Sequence, residues 1–101
     1  MTTLQDIKVA NHKAGRYWFS PATLRFFESR VGKRVHEGPG GIYFVSSEQY
    51  RRPLSGGCDP RRYTVRQFNP DTGDIDTVGE FQQWADSHGA HREAKRLAAG
   101  S

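Results

Sequence analysis

Cys58, His88 and His91 are the side chains whose chemistry stands out first. Cys58 lies in Gly56-Gly57-Cys58-Asp59-Pro60, and a thiol in such a loop becomes a catalytic nucleophile only beside a base and an oxyanion site. The sequence places neither next to it. His88 and His91 are three residues apart, a spacing open to two ligands of one metal, but His12, His36 and Cys58 are scattered and supply no third ligand at a recognisable interval. They read as surface histidines. The acids Asp71, Asp74, Asp76 and Glu80 lack the order and terminal glutamate of a calcium loop. Gly38-Pro39-Gly40-Gly41 precedes an apolar run, whereas phosphate-cradling loops follow a strand and open a helix. The expectation is a protein that is not an enzyme and uses no metal or cofactor.

Arginine beside aromatic residues is the remaining signal: Arg16-Tyr17-Trp18, Arg25-Phe26-Phe27, Tyr50-Arg51-Arg52 and Arg61-Arg62-Tyr63. Guanidinium groups suit phosphates and aromatic faces suit unstacked bases, although a small domain also needs aromatics for its core and charge for its surface. Arg51, Arg52, Arg61, Arg92, Lys95 and Arg96, placed in one loop and one helix, are the candidate contacts to nucleic acid, to a ribonucleoprotein or to an acidic protein. Against an acidic protein, Tyr17, Trp18, Tyr50 and Trp84 are candidate aromatic anchors.

The chain has 101 residues with 15 Lys+Arg against 11 Asp+Glu, enough for one small domain with a thin, aromatic core. Charge is uneven. Residues 1–70 carry 12 basic and 5 acidic side chains (+7) and residues 71–101 carry 3 and 6 (−3), which sum to the net +4. No apolar stretch is long enough for a membrane span, the N-terminus lacks an export signal, and a lone cysteine suits a reducing compartment. The cytoplasm is therefore expected.

Several elements must position these groups. Residues 1–16 have few apolar anchors and read as a flexible N-terminal arm, leaving residues 17–101 as the domain. Ser20-Pro21 with Leu24, Phe27 and Val31 predicts a helix near 21–31. A strand is expected near 41–47, then a long surface loop over 49–60, then a hairpin joining the 63–68 and 75–78 segments through Asn69-Pro70-Asp71-Thr72-Gly73. A five-residue loop sets Arg66 opposite Asp76 and Arg62 opposite Glu80. A four-residue loop pairs Phe68 with Ile75 and Val65 with Val78, leaving the arginines more available. After Asp86-Ser87, Ala90, Ala94, Leu97 and Ala98 mark a helix that Gly100 ends. The fold class is α+β: a three-stranded antiparallel sheet with two flanking helices in the order α-β-β-β-α.

The segments Tyr17-Trp18-Phe19-Ser20-Pro21, Gly41-Ile42-Tyr43-Phe44-Val45-Ser46-Ser47-Glu48, Arg62-Tyr63-Thr64-Val65-Arg66 and Thr77-Val78-Gly79-Glu80-Phe81 resemble a group of small uncharacterised proteins of phages and mobile elements. The resemblance implies a bacterial cytoplasmic setting and a product that binds nucleic acid or blocks a host machine, as anti-CRISPR proteins do. His91-Arg92-Glu93-Ala94-Lys95 also resembles the basic helix of double-stranded-RNA-binding domains, with His91 where that motif has a lysine. There, cations at a helix start favour phosphate.

Overall fold

A computed structural model describes residues 2–20, 30–49 and 61–100, together with the backbone of residues 51, 52, 57 and 58. The stretch Gly41-Ile42-Tyr43-Phe44-Val45-Ser46-Ser47-Glu48 forms a strand buried along nearly its whole length. Alternate side chains leave opposite faces of a strand, so an unbroken apolar run demands cover on both. Tyr43 and Val45 join Val65, Ala90, Ala94 and Ala98 in one cluster, and Ile42 and Phe44 join Ile7, Phe19 and Phe68 in the other.

Around this strand, β2 (Gly41–Glu48), lie β1 (Arg30–Gly38), β5 (Arg62–Phe68) and β6 (Ile75–Val78), in a four-stranded antiparallel sheet of order β1-β2-β5-β6. A separate two-stranded ladder pairs β3 (Arg51–Arg52) with β4 (Gly57–Cys58). Two helices are present among the described residues, α1 (Leu4–Lys13) and α2 (Ser87–Ala98). Asp86 caps α2 by accepting from the Gly89 N–H at 2.6 Å, and Gly100 follows the helix at φ +83°. The alanine face of α2 brings its backbone close to the β1–β2 turn. There Gly40 N–H donates to the Ala98 carbonyl at 2.9 Å, and a Cβ at Gly40 would run into the Leu97 carbonyl oxygen.

The class α+β holds, and three expected details do not. The sheet has four strands rather than three, because residues 30–38 form a strand where Arg30 and Val31 were expected to finish a helix; the rest of that expected helix lies outside the described residues. Val31 and Val35 are four apart, a spacing shared by a helix face and a strand face, and an irregularity between them breaks the regular alternation. Residues 1–16 are no arm. Thr3 and Asp6 form a reciprocal capping box, Ile7 is fully buried, and the buried Asn11 side chain donates to the Gly73 carbonyl at 2.9 Å and accepts from Trp18 N–H at 2.8 Å. The segment 49–60 is more than a loop, since Arg51 pairs with Cys58 and Arg52 with Gly57.

The hairpin adopts the four-residue loop. Phe68 pairs with Ile75 and Val65 with Val78, and Gly73 takes φ +77° at the tip. This register was expected to leave Arg62 and Arg66 available, and it does not. Arg62 donates to the Gln82 and Gln83 carbonyls at 2.7 and 3.1 Å, while Arg66 is buried.

Candidate nucleic-acid interface

The cations divide between the two sheet faces. On the α1 side, Arg66 donates to Ser46 Oγ at 2.9 Å, to Glu48 Oε1 at 3.1 Å and to Thr77 Oγ1. Glu48, fully buried, also accepts from Ser46 Oγ at 2.7 Å and Thr64 Oγ1 at 3.0 Å. The guanidinium carbon of Arg66 lies 5.2 Å from the Trp18 ring centre and 5.5 Å from that of Phe81. Burial lowers the Arg66 pKa from its ordinary value, and the Glu48 carboxylate opposes that shift. This is a closed internal network with its polar groups mutually satisfied.

On the α2 side, Arg34 and His36 of β1 face His88, His91, Arg92 and Lys95 of α2 across one open pocket of about 220 Å³. The four helix residues stand at i, i+3, i+4 and i+7, which is one face of a helix. An adjoining pocket, also about 220 Å³, shares His91 and is lined by Arg30, Gly32, Ser47, Tyr63 and Ser87. Together they form a groove between β1 and α2. A Cβ at Gly32 would stand 3.3 Å from the Val45 carbonyl oxygen and 3.9 Å from the His91 ring, so glycine keeps the floor of the groove open. Among the described residues, no carboxylate lines either pocket. The ion pairs among the described residues, Arg16 with Asp74, Arg66 with Glu48 and Arg96 with Glu93, leave out Arg34, Arg92 and Lys95.

His36 Nε2 and His91 Nδ1 are 3.0 Å apart, so one of them carries the shared proton and the other accepts it. Both pKa values fall below the usual histidine range. For His36 the causes are burial, then the charges of His91, Arg34 and Lys95; for His91 they are burial, then Arg34. A positive field of this kind disfavours a bound cation and favours an anion. Among the described residues, no three His, Cys, Asp or Glu side chains converge as a metal-binding group.

Of the candidate contacts, Arg92 and Lys95 lie in the groove. Arg96 donates to Glu93 at 2.6 Å, and Arg61 donates to the Ser47 carbonyl and hydroxyl at 3.2 and 3.0 Å; both are engaged within the molecule. Arg51 and Arg52 lie on β3, and their side chains fall outside the described residues. Among the proposed anchors, Trp18 and Trp84 pack against the two core clusters, Tyr17 is exposed, and Tyr50 lies outside the described residues. Sequence reading missed Arg34, His36 and the role of His91. The available signal was Val31 and Val35 followed by a Gly-Pro-Gly-Gly turn, which fits a hairpin strand carrying Arg34 and His36.

Fold and groove together define a small α+β protein with a cleft lined by cations and histidines beside an edge strand. The chain belongs to the family of unknown function DUF7447, whose profile matches residues 3–95. Nothing among curated proteins or solved structures matches it. No helix among the described residues is long and apolar enough to cross a membrane.

Proposed function

We propose that this protein binds nucleic acid, without catalysing a reaction, through the groove between β1 and α2, as a phage or mobile-element product acting in the bacterial cytoplasm. The observation that carries this reading is the convergence of Arg34, Arg92 and Lys95 with three histidines in one concavity that, among the described residues, no carboxylate lines. Arginine and lysine supply phosphate contacts, and binding through such contacts releases counterions and weakens steeply with salt. The lining offers charge and N–H donors, which supports backbone rather than base recognition.

Titration of labelled single- and double-stranded DNA and RNA over a salt series tests the proposal. Binding that falls with salt and is lost in Arg34→Ala and Arg92→Ala is expected; absence of binding at low salt refutes it. The alternative is an inhibitor or adaptor docking on an acidic host protein, which the exposed Tyr17 favours. A pull-down before and after nuclease treatment separates the two, because a direct protein partner survives the nuclease.

A further inference from the structure

We infer that the pocket formed by Arg34, His36, His88, His91, Arg92 and Lys95 seats the terminal phosphate monoester of a nucleic-acid strand. The inference rests on the nucleic-acid reading and deepens it by naming the chemical group. Charge is the first argument. An internal phosphodiester brings one negative charge, whereas a phosphate monoester carries roughly −1.5 to −2 near neutral pH. Three permanent cations meet in this pocket with no lining carboxylate among the described residues to offset them, and the more highly charged group compensates them better.

Shape is the second argument. The cations do not run in a stripe along one element but converge from β1 and α2 on a single concavity. At about 220 Å³ it is smaller than the roughly 300 Å³ at which pockets for whole small-molecule ligands begin. The pocket itself has room for a phosphate group, and the attached nucleoside would lie outside it, along the groove or in solvent. Among the described residues its lining includes no Phe, Tyr or Trp, so these offer no aromatic platform for a base.

The histidine pair is the third. Its 3.0 Å contact fixes both rings, and a ring N–H held in place is a directed donor for a phosphate oxygen. Burial and the charge of Arg34 on β1 lower the pKa of both rings, and His91 and Lys95 on α2 add to this for His36; Arg92 and His88 stand beside them and Tyr43 is paired across from His36 on β2. A bound dianion opposes that field and strengthens the donors.

The test compares three internally labelled single-stranded oligonucleotides of one sequence, carrying a 5′-phosphate, a 3′-phosphate or no terminal phosphate, by fluorescence anisotropy. A preference of about tenfold or more for one phosphorylated end is expected, the scale of one charge-assisted contact. The double variant Arg92→Gln/Lys95→Gln, both positions being exposed, should keep the native circular dichroism and thermal midpoint and lose the preference. Inorganic phosphate should compete only far above the oligonucleotide concentration. Equal affinity for all three strands overturns the inference while nucleic-acid binding stands, as does a preference that survives in the double variant. Inorganic phosphate competing as well as the phosphorylated strand overturns recognition of a strand end, and no binding by any strand removes the nucleic-acid reading itself.

Discussion

Replacing Arg66 with Met separates a structural arginine from a binding one. Arg66 and Glu48 form an ion pair in which Glu48 is fully buried and the arginine side chain is only 10% exposed. Removing one partner of such a pair leaves the other charge buried and uncompensated, at a cost of about 3–5 kcal/mol. Glu48 would retain Ser46 and Thr64 as donors, which places the cost toward the lower end. Loss of the contacts to the Trp18 and Phe81 rings adds about 0.5–2 kcal/mol, partly recovered by the methionine's own packing. A domain of this size has roughly 5–15 kcal/mol in total, so Arg66→Met should lower the urea midpoint sharply and the thermal midpoint by at least about 12 °C. The double variant Glu48→Leu/Arg66→Met, which removes both charges, should recover most of the loss, since replacing a whole buried pair by apolar groups is often neutral or better. Urea denaturation followed by circular dichroism measures all three proteins. An Arg66→Met protein within about 0.5 kcal/mol of the parent, or a double variant worse than both singles, would show that the pair is not closed as described.

Other consequences are open to the same treatment. Gly40→Ala should cost about 1–3 kcal/mol in denaturation, because its methyl group meets the Leu97 carbonyl oxygen and the Gly100 nitrogen, both of which are backbone. Asn11→Ala leaves the Gly73 carbonyl and the Trp18 N–H without their side-chain partner; at about 1–3 kcal/mol for each unsatisfied buried group, it should also make α1 the first site of limited proteolysis. His36 and His91 have folded pKa values below the ordinary 6.5. The unfolded chain therefore binds more protons between the folded and unfolded values, and stability should be level above about pH 7 and decline as pH falls below 6.5, with His36→Gln flattening the profile. In nucleic-acid titrations, Arg92→Gln should reduce the salt slope by about one, the share of a single phosphate contact, whereas Arg96→Gln should change it less because Arg96 is held by Glu93.

The parts of the fold legible in the sequence are those where one local signal had one meaning. Ala90, Ala94 and Ala98 recur at helical spacing with Asp86 ahead and Gly100 behind, and α2 follows them closely. Asn69-Pro70-Asp71-Thr72-Gly73 marks the hairpin but not its register, since loop chemistry favours four residues and charge segregation five; the Phe68–Ile75 pairing is that of four. The signals that failed were ambiguous or non-local. Val31 and Val35 fit two periodicities, so β1 and the side chains it carries into the groove, Arg34 and His36, were not visible. The arm reading failed because α1 is held by Asn11 reaching the Gly73 carbonyl, 62 residues away in the chain, and no window along the sequence contains that bond. His36 and His91 are likewise 55 residues apart.

Charge counted along the chain does not by itself locate the cationic groove, for a reason that is general. The front of the chain carries the excess of +7, which pointed to its arginines, yet Arg61 and Arg62 are engaged by backbone carbonyls and a hydroxyl, and Arg66 is buried against hydroxyls and one carboxylate. The segment from 71 onward is net negative, yet α2 turns Arg92 and Lys95 toward the groove. A field at a surface depends on which charges share a face and which have been neutralised beneath it, not on the sum over a segment. Two antiparallel strands and a helix bring Arg34, Arg92 and Lys95 together while Glu93 is occupied by Arg96. If the groove is the binding site, reversing charge at Lys95 alone should weaken binding more than reversing Arg61, although Arg61 belongs to the more basic part of the chain. Equal losses in the salt titration would instead mean that the protein binds through net charge with no localised site.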